Sequence, residues 1–181
     1  DGGANIGACS MYFASSGVYT LAFEPLPSNL HYFTKAVLFN RDAGNNLAHL
    51  RLFQVALGDT ERPESKILYT QQDNAGNSML GNYVMDTDSR LGPGKMKECN
   101  VTITAVSFDY LARSTGYLNV TDNKVKMKKR SRRIRLLKLD VQGSELSVLR
   151  GMAQTLADEA VKPTYIYSEI DPLRLEAMGA S

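Results

Sequence analysis

The chain has 181 residues, 43% of them hydrophobic and 22% charged, with a formal net charge of +2. That length suffices for one domain around one substantial core, and the composition excludes a fibrous or low-complexity chain. No apolar run approaches the roughly 18 residues that cross a bilayer, and Cys9 and Cys99 are too few for a disulfide framework or metal cluster; both read as free, buried thiols.

In chain order, Asp1-Gly2-Gly3-Ala4-Asn5-Ile6-Gly7 reads as a turn between a strand and a helix. Residues Val18 to Phe23 form a predicted strand closed by Glu24-Pro25. Pro27-Ser28 then opens a helix with Leu30, Phe33, Val37 and Leu38 on one face. A turn at Gly44-Asn45-Asn46 leads to a strand over Leu50 to Leu57, ending at Gly58-Asp59. From about 60 to 100 the signal fades into short β-like pieces (Lys66 to Tyr69, Met79 to Met85) among Gly, Asn and Asp, which predicts an excursion or lid. Val101 to Val106 is strand-like and Phe108 to Ala112 a short helix. Ile134 to Leu139 reads as an apolar strand, and Ser144 as the cap of a helix carrying Leu146, Leu149, Ala153 and Leu156. The last predicted strand is Thr164 to Ser168, ending at Glu169. Strands alternating with amphipathic helices predict a single α/β domain over 1–181 with a parallel sheet.

Charge is unevenly spread. Eight of the 21 basic residues lie between Lys124 and Arg135 with no acid among them, leaving 13 basic against 19 acidic elsewhere. This stretch, about 122–135, reads either as a patch for an anionic partner or larger assembly, or as a solvated loop leading into a strand. Asn100-Val101-Thr102 and Asn119-Val120-Thr121 fit the N-glycosylation acceptor pattern, which is too common by chance to fix a compartment.

The residues with chemistry to offer fall at strand ends: the Asp1 to Gly7 turn, Glu24, Asp59, Asp140 and Glu169. In doubly wound sheets, ligands sit outside the carboxyl ends of strands. Glycines let backbone approach a ligand, and a helix amino terminus offers unpaired N–H groups. Glu24 follows Gly7 by 17 residues, the spacing at which an acid accepts hydrogen bonds from ribose hydroxyls. Those two features fit a dinucleotide or an adenosyl ligand. An acid leading the loop repels a pyrophosphate but welcomes an ammonium, which favours S-adenosylmethionine over NAD.

Several segments occur in an order that resembles the FkbM methyltransferase family. They are Asp-x-Gly-Ala-Asn-x-Gly at 1–7, Phe23-Glu24-Pro25 with Pro27-x-Asn29, and Ala56-Leu57-Gly58-Asp59. Farther on come Val106-Ser107-Phe108-Asp109-Tyr110-Leu111, Leu137 to Glu145, and Val148-Leu149-Arg150-Gly151. The resemblance spans Asp1 to about Asp171. It implies a Rossmann-like class I methyltransferase sheet with helices on both faces, truncated at both ends: a strand is expected before Asp1, and two more, one antiparallel, beyond the last. By the same resemblance Asp1, Gly3, Ala4, Asn5 and Gly7 face the methionine part of S-adenosylmethionine, Glu24 holds the ribose and Asp59 lies near adenine. Asp140 or Lys138 orients or deprotonates an acceptor oxygen on a small molecule or glycan. Two positions depart from the pattern: Gly2 replaces an apolar residue and Gln142 replaces Glu, and a glutamine cannot act as a base. His31 and His49 lie in no motif, so no histidine base is assigned; no metal-ligand spacing occurs. A second reading makes the chain a methyltransferase-like, non-catalytic structural subunit of a larger assembly.

Overall fold

The structure, a computed structural model, describes residues 1–71, 74–80, 98–116 and 133–170. The basic run from Lys124 to Arg132 lies outside the described residues, as do 81–97 and 171–181. Among the described residues, thirteen elements follow in chain order. They are α1 (Ala8–Ser15), β1 (Thr20–Phe23), α2 (Pro27–Asp42), β2 (Leu50–Phe53), β3 (Ala56–Gly58), β4 (Glu64–Gln71), β5 (Asn74–Leu80), β6 (Glu98–Ser107), α3 (Phe108–Thr115), β7 (Leu136–Leu139), α4 (Glu145–Arg150), α5 (Ala153–Ala157) and β8 (Tyr165–Ser168).

The first sheet is parallel. β1 pairs with β2 and β7 pairs with β8, both parallel. Gly2 bridges both pairs, opposite Phe23 on one side and Leu139 on the other. Its N–H donates to the Lys138 carbonyl at 2.9 Å, its carbonyl accepts from Asp140 N at 3.1 Å, and Phe23 N donates to the Asp1 carbonyl at 2.9 Å. The order across this sheet is therefore β2, β1, residues 1–3, β7, β8. Gly2 is tolerated there because little room remains: a β-carbon would sit 3.1 Å from Leu139 Cδ2 and 3.4 Å from Leu57 Cδ1.

Strand alternation sends side chains to opposite faces, and each face has its own core. On one, Ala4, Ala22 and Phe33 pack with Met11, Val37, Leu50 and Leu52 beneath α1 and α2. On the other, Phe23, Leu57, Leu137, Leu139, Phe108, Ala112, Val148 and Met152 pack beneath α3, α4 and α5. Helices thus cover both faces. Phe23 is stacked on Phe53 at 5.1 Å and meets Phe108 edge-on at 5.9 Å.

The run Leu50 to Leu57 does not form one strand. It leaves the first sheet after Phe53, and Ala56–Gly58 pairs parallel with Ala105–Ser107 in a second sheet of order β3, β6, β4, β5. The stretch expected to be an excursion supplies most of that sheet. β4 pairs antiparallel with β6 at eight positions from Glu64↔Ala105 to Gln71↔Glu98, and β5 folds back on β4. Leu68 is buried with Leu26, Ala56, Ile103 and Ala105, so this part of 60–100 is built into the core. The helix expected to run on after Ser144 is also divided. Gly151 packs against the Gly58 carbonyl so closely that a β-carbon would overlap its oxygen, and the chain turns there before α5. Ala153 faces solvent, and Val148, Met152 and Thr155 are the fully buried positions. Ser144 occupies the cap position of α4 without a side-chain capping bond. Leu38, expected on the buried face of α2, is 43% exposed, and Cys9, expected buried, is exposed. Among the described residues, no helix is long and apolar enough to cross a membrane.

Candidate functional site

Three strand ends and one turn meet at a cleft. Its walls include Gly3, Asn5, Glu24, Asn29, Asp140 and Gln142, with Phe23, Val55, Ala56, Leu57 and Leu68 as the apolar part and Ser78 at the hairpin side. The turn departs from the central position of the parallel sheet, Glu24 ends β1, and Asp140 ends β7.

The turn's shape is imposed by non-local packing. Gly3 has φ 72° and Gly7 φ 86°, and Asn5, with φ 52°, is a side-chain-bearing residue in the same left-handed region. A β-carbon at Gly3 would overlap the Asp140 carbonyl oxygen, and one at Gly7 would overlap the ring of Phe33, which is fully buried. The two glycines thus seat the loop against β7 and α2. Gly3 N and Ala4 N both donate to the Phe23 carbonyl, at 3.1 and 3.0 Å.

Glu24 is buried and ties the loop to α2. Its Oε2 accepts from Asn5 N at 2.8 Å; its Oε1 accepts from Leu26 N at 2.9 Å and Asn29 Nδ2 at 3.2 Å. Burial raises its carboxyl above the usual glutamate value of 4.5, outweighing the hydrogen bonds and the Lys138 charge that pull the other way. A carboxylate offers about four lone-pair sites, so three donors leave room for one more.

Asp1, Lys138 and Asp140 form a linked group. Lys138 Nζ lies 3.2 Å from Asp1 Oδ1, 3.4 Å from the Gly3 carbonyl and 3.7 Å from Asp140 Oδ2. Asp1 Oδ2 accepts from Ser10 Oγ at 2.6 Å. Both Asp1 oxygens therefore face protein donors, and neither Asp1 nor Lys138 is part of the cleft wall. Asp140 does line it, and its Oδ1 accepts from Gln142 Nε2 at 2.7 Å.

Of the residues singled out in the sequence, the structure brings Gly3, Asn5, Glu24 and Asp140 together on the cleft. Ala4 and Gly7 are buried behind it; Asp59 is exposed beyond the end of β3 and does not line it. His31 and His49 are both exposed, and Glu169 ends β8 exposed. Sequence reasoning missed Leu68 and Ser78, because a hairpin of weak pattern carries them. It gave no role to Asn29, although Pro27-x-Asn29 was visible. It also missed that Asp109 caps α5 from a distance: its carboxylate accepts from Gln154 N at 2.8 Å, Thr155 N at 3.0 Å and Thr155 Oγ1 at 2.6 Å.

The sequence family described as the methyltransferase FkbM domain matches residues 1–179. The chain belongs to the FkbM methyltransferase family. Among solved structures, this FkbM domain is similar to the methyltransferase FkbM from Methylobacillus flagellatus KT at 15% identity and a TM-score of 0.47. That match covers 91% of this chain and 31% of the other, so the FkbM domain described here spans about a third of that protein's length. No curated protein matches the chain. The family segments fall where the cleft is built: Asp1 to Gly7 forms its turn, Phe23-Glu24-Pro25 one wall, and Asp140-Val141-Gln142 the wall opposite.

Proposed function

We propose that the cleft binds S-adenosylmethionine and that the protein transfers its methyl group to an oxygen of a small molecule or glycan. The observation that carries this reading is the convergence of Gly3, Asn5, Glu24 and Asp140 from separate elements onto one cleft at the carboxyl ends of parallel strands. The strand order β2, β1, residues 1–3, β7, β8, with helices on both faces, supports assignment to the Rossmann-like class I methyltransferase sheet.

The residues present fit the cofactor. Gly3 keeps backbone where a side chain would fill the cradle, and Glu24 keeps an acceptor site for a ribose hydroxyl. Phe23, Val55, Ala56, Leu57 and Leu68 offer an apolar wall for a purine. Asp59, exposed past β3, is assigned only a peripheral place near the adenine end. S-adenosylmethionine, when bound, supplies a methyl group already activated on a sulfonium, so the protein's main work is alignment. Asp140 is assigned to receive the acceptor's hydroxyl proton on its carboxylate as the oxygen bonds to the methyl carbon and the carbon–sulfur bond breaks, its electron pair leaving with the sulfur as a neutral thioether. Lys138, held among two carboxylates and a carbonyl, is assigned to fixing the loop against β7 and balancing the acids.

Titration calorimetry of the folded protein with S-adenosylhomocysteine tests the reading. Saturable one-to-one binding, weakened by Glu24→Ala, is expected; a folded protein that binds none of it overturns the proposal.

A further inference from the structure

The turn after β7 holds a side-chain-bearing residue in a costly conformation. Gln142 has φ 54°, followed by Gly143 with φ 99°, and a left-handed non-glycine residue persists where its surroundings demand it. The turn is fastened at both ends: Val141 N donates to Glu145 Oε1 at 3.1 Å, and Ser144 N to the Val141 carbonyl at 3.3 Å. It folds the Gln142 side chain back two residues, where Nε2 donates to Asp140 Oδ1 at 2.7 Å.

Asp140 stands between two pulls. On the other side, Lys138 Nζ is 3.7 Å from Oδ2, well beyond the roughly 2.7–2.9 Å of a charge-assisted hydrogen bond. The short bond from Gln142 holds the carboxylate off the lysine. It does so with a neutral donor, adding no second acid to compete for a proton. The Asp140 backbone is fixed as well, since its N–H donates to the Gly2 carbonyl and its carbonyl packs on Gly3. The side chain nonetheless stays 34% exposed. Among the described residues, the Asp140 carboxylate meets the Gln142 amide and the Lys138 ammonium, so without the amide the lysine's pull stands unopposed by another donor.

We propose that Gln142 is a positioning residue: its carboxamide, aimed by the left-handed turn, holds the Asp140 carboxylate facing the acceptor's side of the cleft. This inference rests on the S-adenosylmethionine reading and adds to it the device that orients the proton acceptor.

The test compares two probes by calorimetry on the intact protein. Sinefungin carries a protonated amine where S-adenosylmethionine carries its methyl sulfonium; S-adenosylhomocysteine carries no charge there. The original protein is expected to prefer sinefungin, and Asp140→Asn to erase that preference. Gln142→Gly deletes the amide while relaxing the backbone, so it keeps the turn. It is expected to weaken sinefungin about five- to tenfold more than it weakens S-adenosylhomocysteine, the worth of one hydrogen bond. An unchanged preference in Gln142→Gly overturns the inference while leaving the cofactor reading intact. So does a parallel loss of both ligands, which would mark Gln142 as structural, or the lack of any preference in the original protein. Failure of both ligands to bind the folded original protein overturns the cofactor reading and this inference with it.

Discussion

Replacing Gly3 by alanine combines two penalties that other glycines in the same chain separate. Gly17, with φ 80° and nothing within 4 Å of a built β-carbon, would incur only the left-handed backbone cost, about 1–2 kcal/mol. Gly151 adopts an ordinary helical conformation (φ −70°, ψ −3°), yet its β-carbon would overlap the Gly58 carbonyl oxygen and lie 3.0 Å from Ser107 Cβ. It would incur the steric cost alone, about 1–3 kcal/mol for overpacking. Gly3 has φ 72° and its β-carbon would overlap the Asp140 carbonyl oxygen. Relief requires moving backbone that is pinned by Gly3 N to the Phe23 carbonyl and Asp140 N to the Gly2 carbonyl, each 3.1 Å. The expected loss for Gly3→Ala is the sum, about 2–5 kcal/mol. Urea denaturation of the three variants measures this directly. The reasoning is refuted if Gly3→Ala is no more destabilising than Gly17→Ala.

Glu24→Gln should destabilise by about 1–3 kcal/mol even without ligand, because an amide cannot accept at both oxygens from Asn5 N, Leu26 N and Asn29; thermal melts of the ligand-free protein check it. Glu24 is also expected to make S-adenosylhomocysteine affinity fall on acidification before the usual glutamate value of 4.5 is reached, because its raised carboxyl protonates early. For folding, the sign is opposite: the folded state takes up that proton more readily than the unfolded chain, so this group favours folding as pH falls through its raised value and penalises it above. Calorimetry and denaturation as a function of pH separate the two trends. Asp109→Ala should cost about 2–4 kcal/mol, since it leaves Gln154 N, Thr155 N and the buried Thr155 hydroxyl without their acceptor; a change under 1 kcal/mol in urea would show that water replaces it.

The legible parts of the sequence were those where local pattern and fold agree. Leu30, Phe33 and Val37 announced the buried side of α2, and Gly3, Asn5, Glu24 and Asp140 announced strand ends that share a cleft. What stayed hidden depends on partners distant in sequence. The run from Leu50 to Leu57 is strand-like throughout and contains no turn residue, so nothing in it says that its hydrogen-bonding partner changes after Phe53. In β4, Glu64, Ser65 and Lys66 mask a strand whose buried anchor is Leu68. The break at Gly151 is written in the position of the Gly58 carbonyl, 93 residues earlier in the chain and therefore outside any local window. Asp59 shows the converse: a good position in a motif does not guarantee a side chain on the cleft.

Gly2 joins β1 to β7, and so holds together two strand pairs that do not otherwise touch as neighbours in the sheet. The same short segment borders the cleft. Opening it would release the amides of Phe23 and Asp140, which donate to the Asp1 and Gly2 carbonyls, in a single cooperative event. Native-state hydrogen exchange would see those amides share one opening free energy, while the β4–β6 ladder, which has its own eight-position register, opens independently. A ligand resting on Gly3 would then slow exchange along the seam of the parallel sheet more than in the hairpin, so that occupancy of the cleft is read out as the rigidity of the sheet beneath it.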